Sequence, residues 1–235
     1  MTVLSMVQEV ADETQLFERP TSVISNNNKE TRQALSFLKT VCNEILRAHD
    51  WEVLTKEQTF VTDGSGSYAF STIITDSDYK RPKTSTEWDR TNQKKVVIVT
   101  AAEWQKLKSG IISTTGIYRY GRARGGNLLL TPDASGDTLV LEYISSYYAE
   151  DSGGTAKATF TADTDVPRFD EDLVKLGLKY YLKTEYGLPS IEDEARYYDT
   201  MDDLMGQEKP AKVIRPANSR PGDFVINIPD TGAGM

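Results

Sequence analysis

ETRQALSFLKTVCNEILRAHDW, residues Glu30–Trp51, decides how the rest of the chain is read. Ala34, Leu35, Leu38, Val41, Cys42, Ile45 and Leu46 recur at three- and four-residue intervals, which places them on one face of a helix ending near Asp50. Asn28 stands at its start as an N-cap, after the break at Pro20 and the polar run Ser25–Asn28. Beyond Trp51 the period falls to two. Runs at 59–61, 95–99, 127–130 and 138–143 read as strands, separated by turn signals at 63–67, 125–126, 133–137 and 152–154. The loop 133–137 makes 127–130 and 138–143 the expected hairpin, and 101–109 is a short helix among the strands.

Outward from this centre the chain is helical again. Thr2 caps a first helix with Leu4, Val7 and Ala11 on its apolar side, widened by Val3 and Val10. After Phe160–Pro167, helical spacing returns over about 168–187, with Asp170, Glu171 and Asp172 in the first turn and Gly187 as the stop. Ser190 caps a last helix, with Asp193 three residues on as in a capping box, and Gly206 ends it. Pro210, Pro216, Pro221 and Pro229 then favour an extended tail. The expected fold class is α+β: a helical bundle from the N- and C-terminal helices, a β-rich insert and an extended C-terminal arm. Its divisions are 1–52, 53–160, 161–207 and 208–235.

Composition narrows the function. The 235 residues carry 27 basic and 35 acidic side chains, a formal charge of −8, which is a poor basis for gripping nucleic acid through counterion release. Such a surface still suits a passage through which nucleic acid slides. Cys42 is the single cysteine and falls on the apolar face of the second helix, as a small core residue rather than a reactive thiol. No run approaches the roughly 20 apolar residues of a membrane span, and the start lacks the pattern of a signal peptide. The expectation is a product made in the cytoplasm with no membrane phase.

Several segments, in order, resemble a known family. They are the helix closing on His49-Asp50-Trp51, the strand Glu57-Gln58-Thr59-Phe60, the Glu103-Trp104 helix, Leu128–Pro132 and Leu141–Ser145. Phe160-Thr161-Ala162-Asp163-Thr164-Asp165-Val166-Pro167 with Asp170–Leu173 completes the set. Over roughly residues 3–205 the chain is similar to the head-to-tail adaptor (connector) proteins of tailed bacteriophages. Tyr68-Ala69-Phe70-Ser71 departs from the family, which tends to have a Tyr-x-Leu-Pro step there.

The resemblance implies a non-catalytic ring subunit, commonly in twelve copies, lying beneath the portal in the virion neck. It implies the portal protein, tail or nozzle proteins and further copies of itself as partners, with packaged DNA passing through the channel. No cofactor is implied. A tail-tube or tail-completion protein is the alternative within assembly proteins. A small metal-dependent hydrolase is the alternative of another class.

The chemistry-bearing residues are few. Asp163, Asp165, Asp170, Glu171 and Asp172 form the one acidic group that can be imagined around a divalent metal or in acid–base work. Caps and first-turn acids account for them without either. His49, the only histidine, has no histidine partner for a zinc site or triad and lies where a helix C-terminus favours a cation. Arg119, Arg122 and Arg124 lie in the one basic, glycine-containing stretch. They are candidates for a channel or subunit contact, with an exposed hairpin approach as the plainer account. In the tail, Phe224, Ile226 and Ile228 alternate to one side around Val225. A strand of that kind suits addition to a portal sheet edge.

Overall fold

The computed structural model describes residues 1–109 and 118–208. Thr2 accepts the Ser5 amide at 3.2 Å and caps α1 (Val3–Thr14). Asn28 accepts the Glu30 amide at 3.0 Å and caps α2 (Lys29–Ala48). Each cap satisfies an amide with no partner inside its helix. α1 buries Val3, Met6, Val7, Val10 and Ala11, with Met6 taking the central place and Leu4 at the margin. α2 buries Ala34, Leu38, Val41, Cys42, Ile45 and Leu46, and full burial pushes the Cys42 thiol far above its ordinary pKa.

Asp170 accepts the Leu173 amide at 2.9 Å and starts α5 (Glu171–Glu185). Gly187, at φ +68°, stops it. There Leu188 N–H reaches Lys183 O at 2.9 Å and Gly187 N–H reaches Thr184 O at 3.1 Å, which satisfies the last carbonyls. α6 (Ile191–Glu208) runs through Gly206 instead of ending there. Gly206 keeps a negative φ, and a mid-helix glycine costs only about 1 kcal/mol against alanine. Asp193 does not fold back as a capping box either. It is buried and bonded to Lys183 Nζ at 2.5 Å.

α5 is the hub on which α1, α2 and α6 pack. Gly177 makes this approach close enough. A Cβ there would stand 2.6 Å from Val41 Cγ1 and 2.9 Å from Tyr197 Cε2.

The rest of the chain builds a sheet of eight strands. β1 (Thr55–Asp63) pairs antiparallel with β8 (Ser135–Ser145) from Thr55↔Ile144 to Val61↔Thr138. The other side of β8 receives β3 (Tyr79–Pro82) and β4 (Trp88–Asp89). From β4 the order continues through β5 (Lys94–Ile98), β6 (Arg119–Arg124) and β7 (Asn127–Thr131) to β2 (Ser67–Ala69). α3 is a single turn, Phe70–Ile73. β5 and β6 are parallel, and α4 (Ala101–Ser109) lies in the crossover between them. Gly121 faces β5 where a Cβ would come within 2.9 Å of both Val96 Cγ1 and Ile98 Cδ1. β9 (Ala149–Glu150), β10 (Ala156–Lys157) and β11 (Val166–Pro167) form a separate small sheet.

Two expectations are overturned. The strands at 127–130 and 138–143 are not a hairpin: β7 pairs with β6 and β2, and β8 with β1, β3 and β4. Gly125 and Gly126, at φ +59° and +79°, supply the two-residue turn, and the hairpin is β6–β7 with Arg124↔Asn127. The 132–137 link is claimed by distant groups. Asp133 accepts the Tyr68 hydroxyl at 2.6 Å and the Gly66 amide at 2.8 Å, and Thr62 accepts the Asp137 amide at 3.1 Å.

The fold class also differs. The molecule is a mixed α/β protein with a large curled sheet, a half-barrel, and not a helical bundle carrying a lesser β insert. Six α-helices occur among the described residues. The sheet is larger than its four readable strands because β6 and the two- to four-residue β2, β3 and β4 complete it. It has its own core of Phe60, Tyr68, Phe70, Ile73, Val96, Leu128, Leu130, Leu139, Leu141 and Tyr143.

Candidate functional site

His49, Asp50 and a group of charged side chains lie where the two halves meet. His49 ends α2, and its ring stands edge-on to Trp51 at 5.2 Å. Trp51 is buried, its indole N–H on the Ile45 carbonyl at 2.6 Å. Asp50 receives Arg81 Nε at 2.9 Å. The same guanidinium donates to Leu46 O at 3.2 Å and His49 O at 2.8 Å, so a cation from β3 covers the open carbonyls of α2. Lys83 reaches Glu52 at 2.5 Å, and Lys56 reaches the buried Asp78 at 2.7 Å. Arg168 donates to Tyr147 O at 3.1 Å and also to Val53 O. His49 Nε2 lies 3.4 Å from Glu208 at the end of α6. Arg81, Lys83 and Arg168 bind the helical half to the sheet, and Lys56–Asp78 ties two segments of the sheet half beside them.

Asp163, Asp165 and Asp170 serve the backbone and do not converge. Asp163 Oδ1 accepts the Val23 and Ile24 amides at 2.9 and 2.8 Å. Its carbonyl, and that of Asp165, accept Leu4 and Val3 N–H at the start of α1. Asp165 is fully buried and takes Lys157 Nζ at 2.8 Å and the Thr161 and Ala162 amides at 2.6 and 2.9 Å. Burial opposes its ionisation, but these donors outweigh it and bring its pKa down to about 2. Among the described residues no group of three or more His, Cys, Asp or Glu is placed to hold a metal.

The three arginines separate. Arg119 points into the sheet half, nearly covered, with Nη1 2.8 Å from Asp89 and Nη2 2.5 Å from Asp137. Asp133 lies 3.9 Å away, and Arg119 Nε donates to Pro132 O at 3.2 Å. In the folded subunit it therefore offers no contact to DNA or a neighbour. Arg122 is half-buried on β6 and Arg124 is exposed beside the Gly125-Gly126 turn. Glu87, two residues before Asp89, is buried with one carboxyl oxygen unpartnered among the described residues, and burial raises its pKa.

Two open grooves flank α6. One, about 710 Å³, runs between α2, α5 and α6. On its wall Glu44 accepts the hydroxyls of Tyr181, Tyr197 and Tyr198 at 3.0, 3.2 and 3.2 Å. Burial, then Glu44, pushes Tyr181 up to about 12, so these phenols remain donors across the physiological range. The other, about 470 Å³, lies between α1, α5 and α6 and mixes Glu13, Asp172, Lys175, Lys179 and Arg196. Neither groove has a buried nucleophile with an adjacent base.

Phe224, Val225, Ile226 and Ile228 lie outside the described residues. Arg81 and Glu44 are the side chains that sequence reading missed. Arg81 sits in an irregular stretch, and Glu44 is one acid in a mixed-charge helix, so neither carries a local signal. Compared with protein-family models and with curated proteins, the chain matches none.

Proposed function

We propose that this chain is a non-catalytic subunit of a bacteriophage head–tail adaptor ring, set beneath the portal in the virion neck. One observation carries the reading. The subunit is a two-ended body, helical at one end and a curled sheet at the other, with the halves locked by Arg81, Lys83 and Arg168. A connector between two different assemblies needs such a body, because a loose joint would lose the register between the components it joins. The ordered likeness from the His49-Asp50-Trp51 helix to Asp170–Leu173 supports the same reading. The engagement of Asp163, Asp165 and Asp170 with separate sets of backbone amides argues against the hydrolase alternative.

In this function the ring extends the DNA channel and presents the docking surface for tail or nozzle proteins. The net charge of −8 lets packaged DNA pass without adhesion. The arm 208–235 docks on the portal through Phe224, Val225, Ile226 and Ile228, adding a strand to its sheet. The subunit is made in the host cytoplasm and takes no cofactor.

Electron microscopy of the full chain mixed with purified portal tests the proposal. A ring capping the portal is expected. Binding to an assembled adaptor but not to portal would instead assign the chain to the tail-tube or tail-completion proteins. Loss of capping on deletion of residues 208–235 is the further expected result.

A further inference from the structure

α2 and α6 both pack on α5, and α2 turns a basic face outward and α6 a mainly acidic one. Among the described residues the α2 cations Lys29, Arg32, Lys39 and Arg47 make no ion pair, whereas Lys175, Lys179 and Lys183 of α5 all do. At about 100° per residue, these four positions fall within a sector of about 80°, running for about 27 Å. Ser36 and Asn43 lie in the same sector, and no acid does. Glu30 and Glu44 lie outside it, and Glu44 is occupied by the tyrosines.

On α6 the acids Glu192, Asp199, Asp202 and Asp203 are exposed and likewise make no ion pair with the described residues. They fall within about 100° of the helix surface, over about 17 Å, opposite the buried Tyr197 and Met201. Asp199 and Asp203 border the groove that Arg196 shares with Lys175 and Lys179, and Asp202 and Glu192 lie outside its lining. A basic ridge and an acidic ridge, each unpaired, therefore occupy two different helices of one subunit.

We infer that the α2 ridge of one copy docks on the α6 ridge of the next. The occupant is a second copy of this chain, because its own surface carries the opposite charge in a strip of matching width. Such a contact joins two different patches, so it is heterologous and propagates around a ring. Being ionic and exposed, it is weak per pair, selective and salt-sensitive. The inference deepens the adaptor reading by naming the mating faces, and it is tested without portal so that either can fail alone.

Two charge-reversed full-length variants decide it: Arg32→Glu with Lys39→Glu, and Asp199→Lys with Asp202→Lys. All four positions lie on the outer faces, so melting temperatures should match the parent. Sedimentation should show salt-sensitive self-association of the parent, weakened on the order of tenfold in either variant alone. An equal mixture of the two variants should associate again, because the unchanged α2 ridge of one then meets the unchanged α6 ridge of the other, and the two reversed pairs are opposite in sign. A parent that stays monomeric at low salt, variants that associate like the parent, or a mixture that does not recover would each overturn the inference. Portal capping without this pattern would keep the adaptor and discard the ridge contact.

Discussion

Tyr143 and Ile144 are neighbours in β8 and both are wholly buried, but in different cores. Tyr143 belongs to the core of the curled sheet and Ile144 to that of the helices. Alternation along a strand turns successive side chains to opposite faces, so one strand serves both halves. Tyr143 also donates to Asp76 at 2.7 Å and to Asp78 at 3.1 Å, and Asp78 takes Ser145 Oγ at 2.7 Å. The two halves are thus joined through a shared strand as well as through the cations around Asp50.

Replacing Gly177 should measure how tightly the helices close. In Gly177→Ala the gain in helix propensity, about 1 kcal/mol, works against a contact of 2.6 Å to Val41. The contact should win, giving a net loss of about 1–2 kcal/mol in urea unfolding. Adding Val41→Ala should make the coupling visible, with the double variant losing less than the sum of the single losses.

Arg81→Ala should loosen the joint without melting either core. Its guanidinium serves Leu46 O, His49 O and Asp50. Removing it leaves helix-end carbonyls uncovered, at a cost of about 2 kcal/mol. Hydrogen exchange should quicken over 46–52, while amides at 139–143 keep their protection. Equal loss of protection in both regions would mean that the joint is not a local feature.

Acid should destabilise the protein partly through Asp165. Its folded pKa of about 2 lies below that of an unfolded aspartate, near 3.9. The stabilisation is therefore present above the unfolded value and is lost as pH falls through about 4 toward 2. Asp165→Asn should flatten that part of the profile and cost on the order of 2 kcal/mol at neutral pH. Asp163→Asn, which keeps an acceptor oxygen for the Val23 and Ile24 amides, should cost about 1 kcal/mol or less.

Glu87 should behave in the opposite sense. Burial raises its pKa, so the folded state holds its proton more firmly than the unfolded chain. Stability from this group is present at low pH and declines as pH rises through the folded value. Glu87→Gln should therefore raise the melting temperature at pH 8, with the gain vanishing near pH 4. A gain independent of pH would point to packing and not to ionisation.

The sequence by itself determined the local features. Thr2 and Asn28 cap the helices expected of them, Asp170 caps the helix whose first turn it was expected to join, and Gly187 stops α5 with a positive φ. The apolar stripe of α2 and the short helix 101–109 were equally legible. These depend on neighbours within four residues, which a linear pattern records. Only the tertiary structure decided the partners. A period of two marks 127–131 as a strand but does not say that it pairs with 119–124 and not with 135–145. Strands of two to four residues, such as 67–69 and 88–89, are too short for any period and exist through the edges they extend. The same holds for the arginines: Arg81 and Arg119 look like surface cations in the chain, and their roles arise from carbonyls and carboxylates brought to them across the fold. Strand pairing and buried charge are long-range, so their energies appear only once distant segments have met.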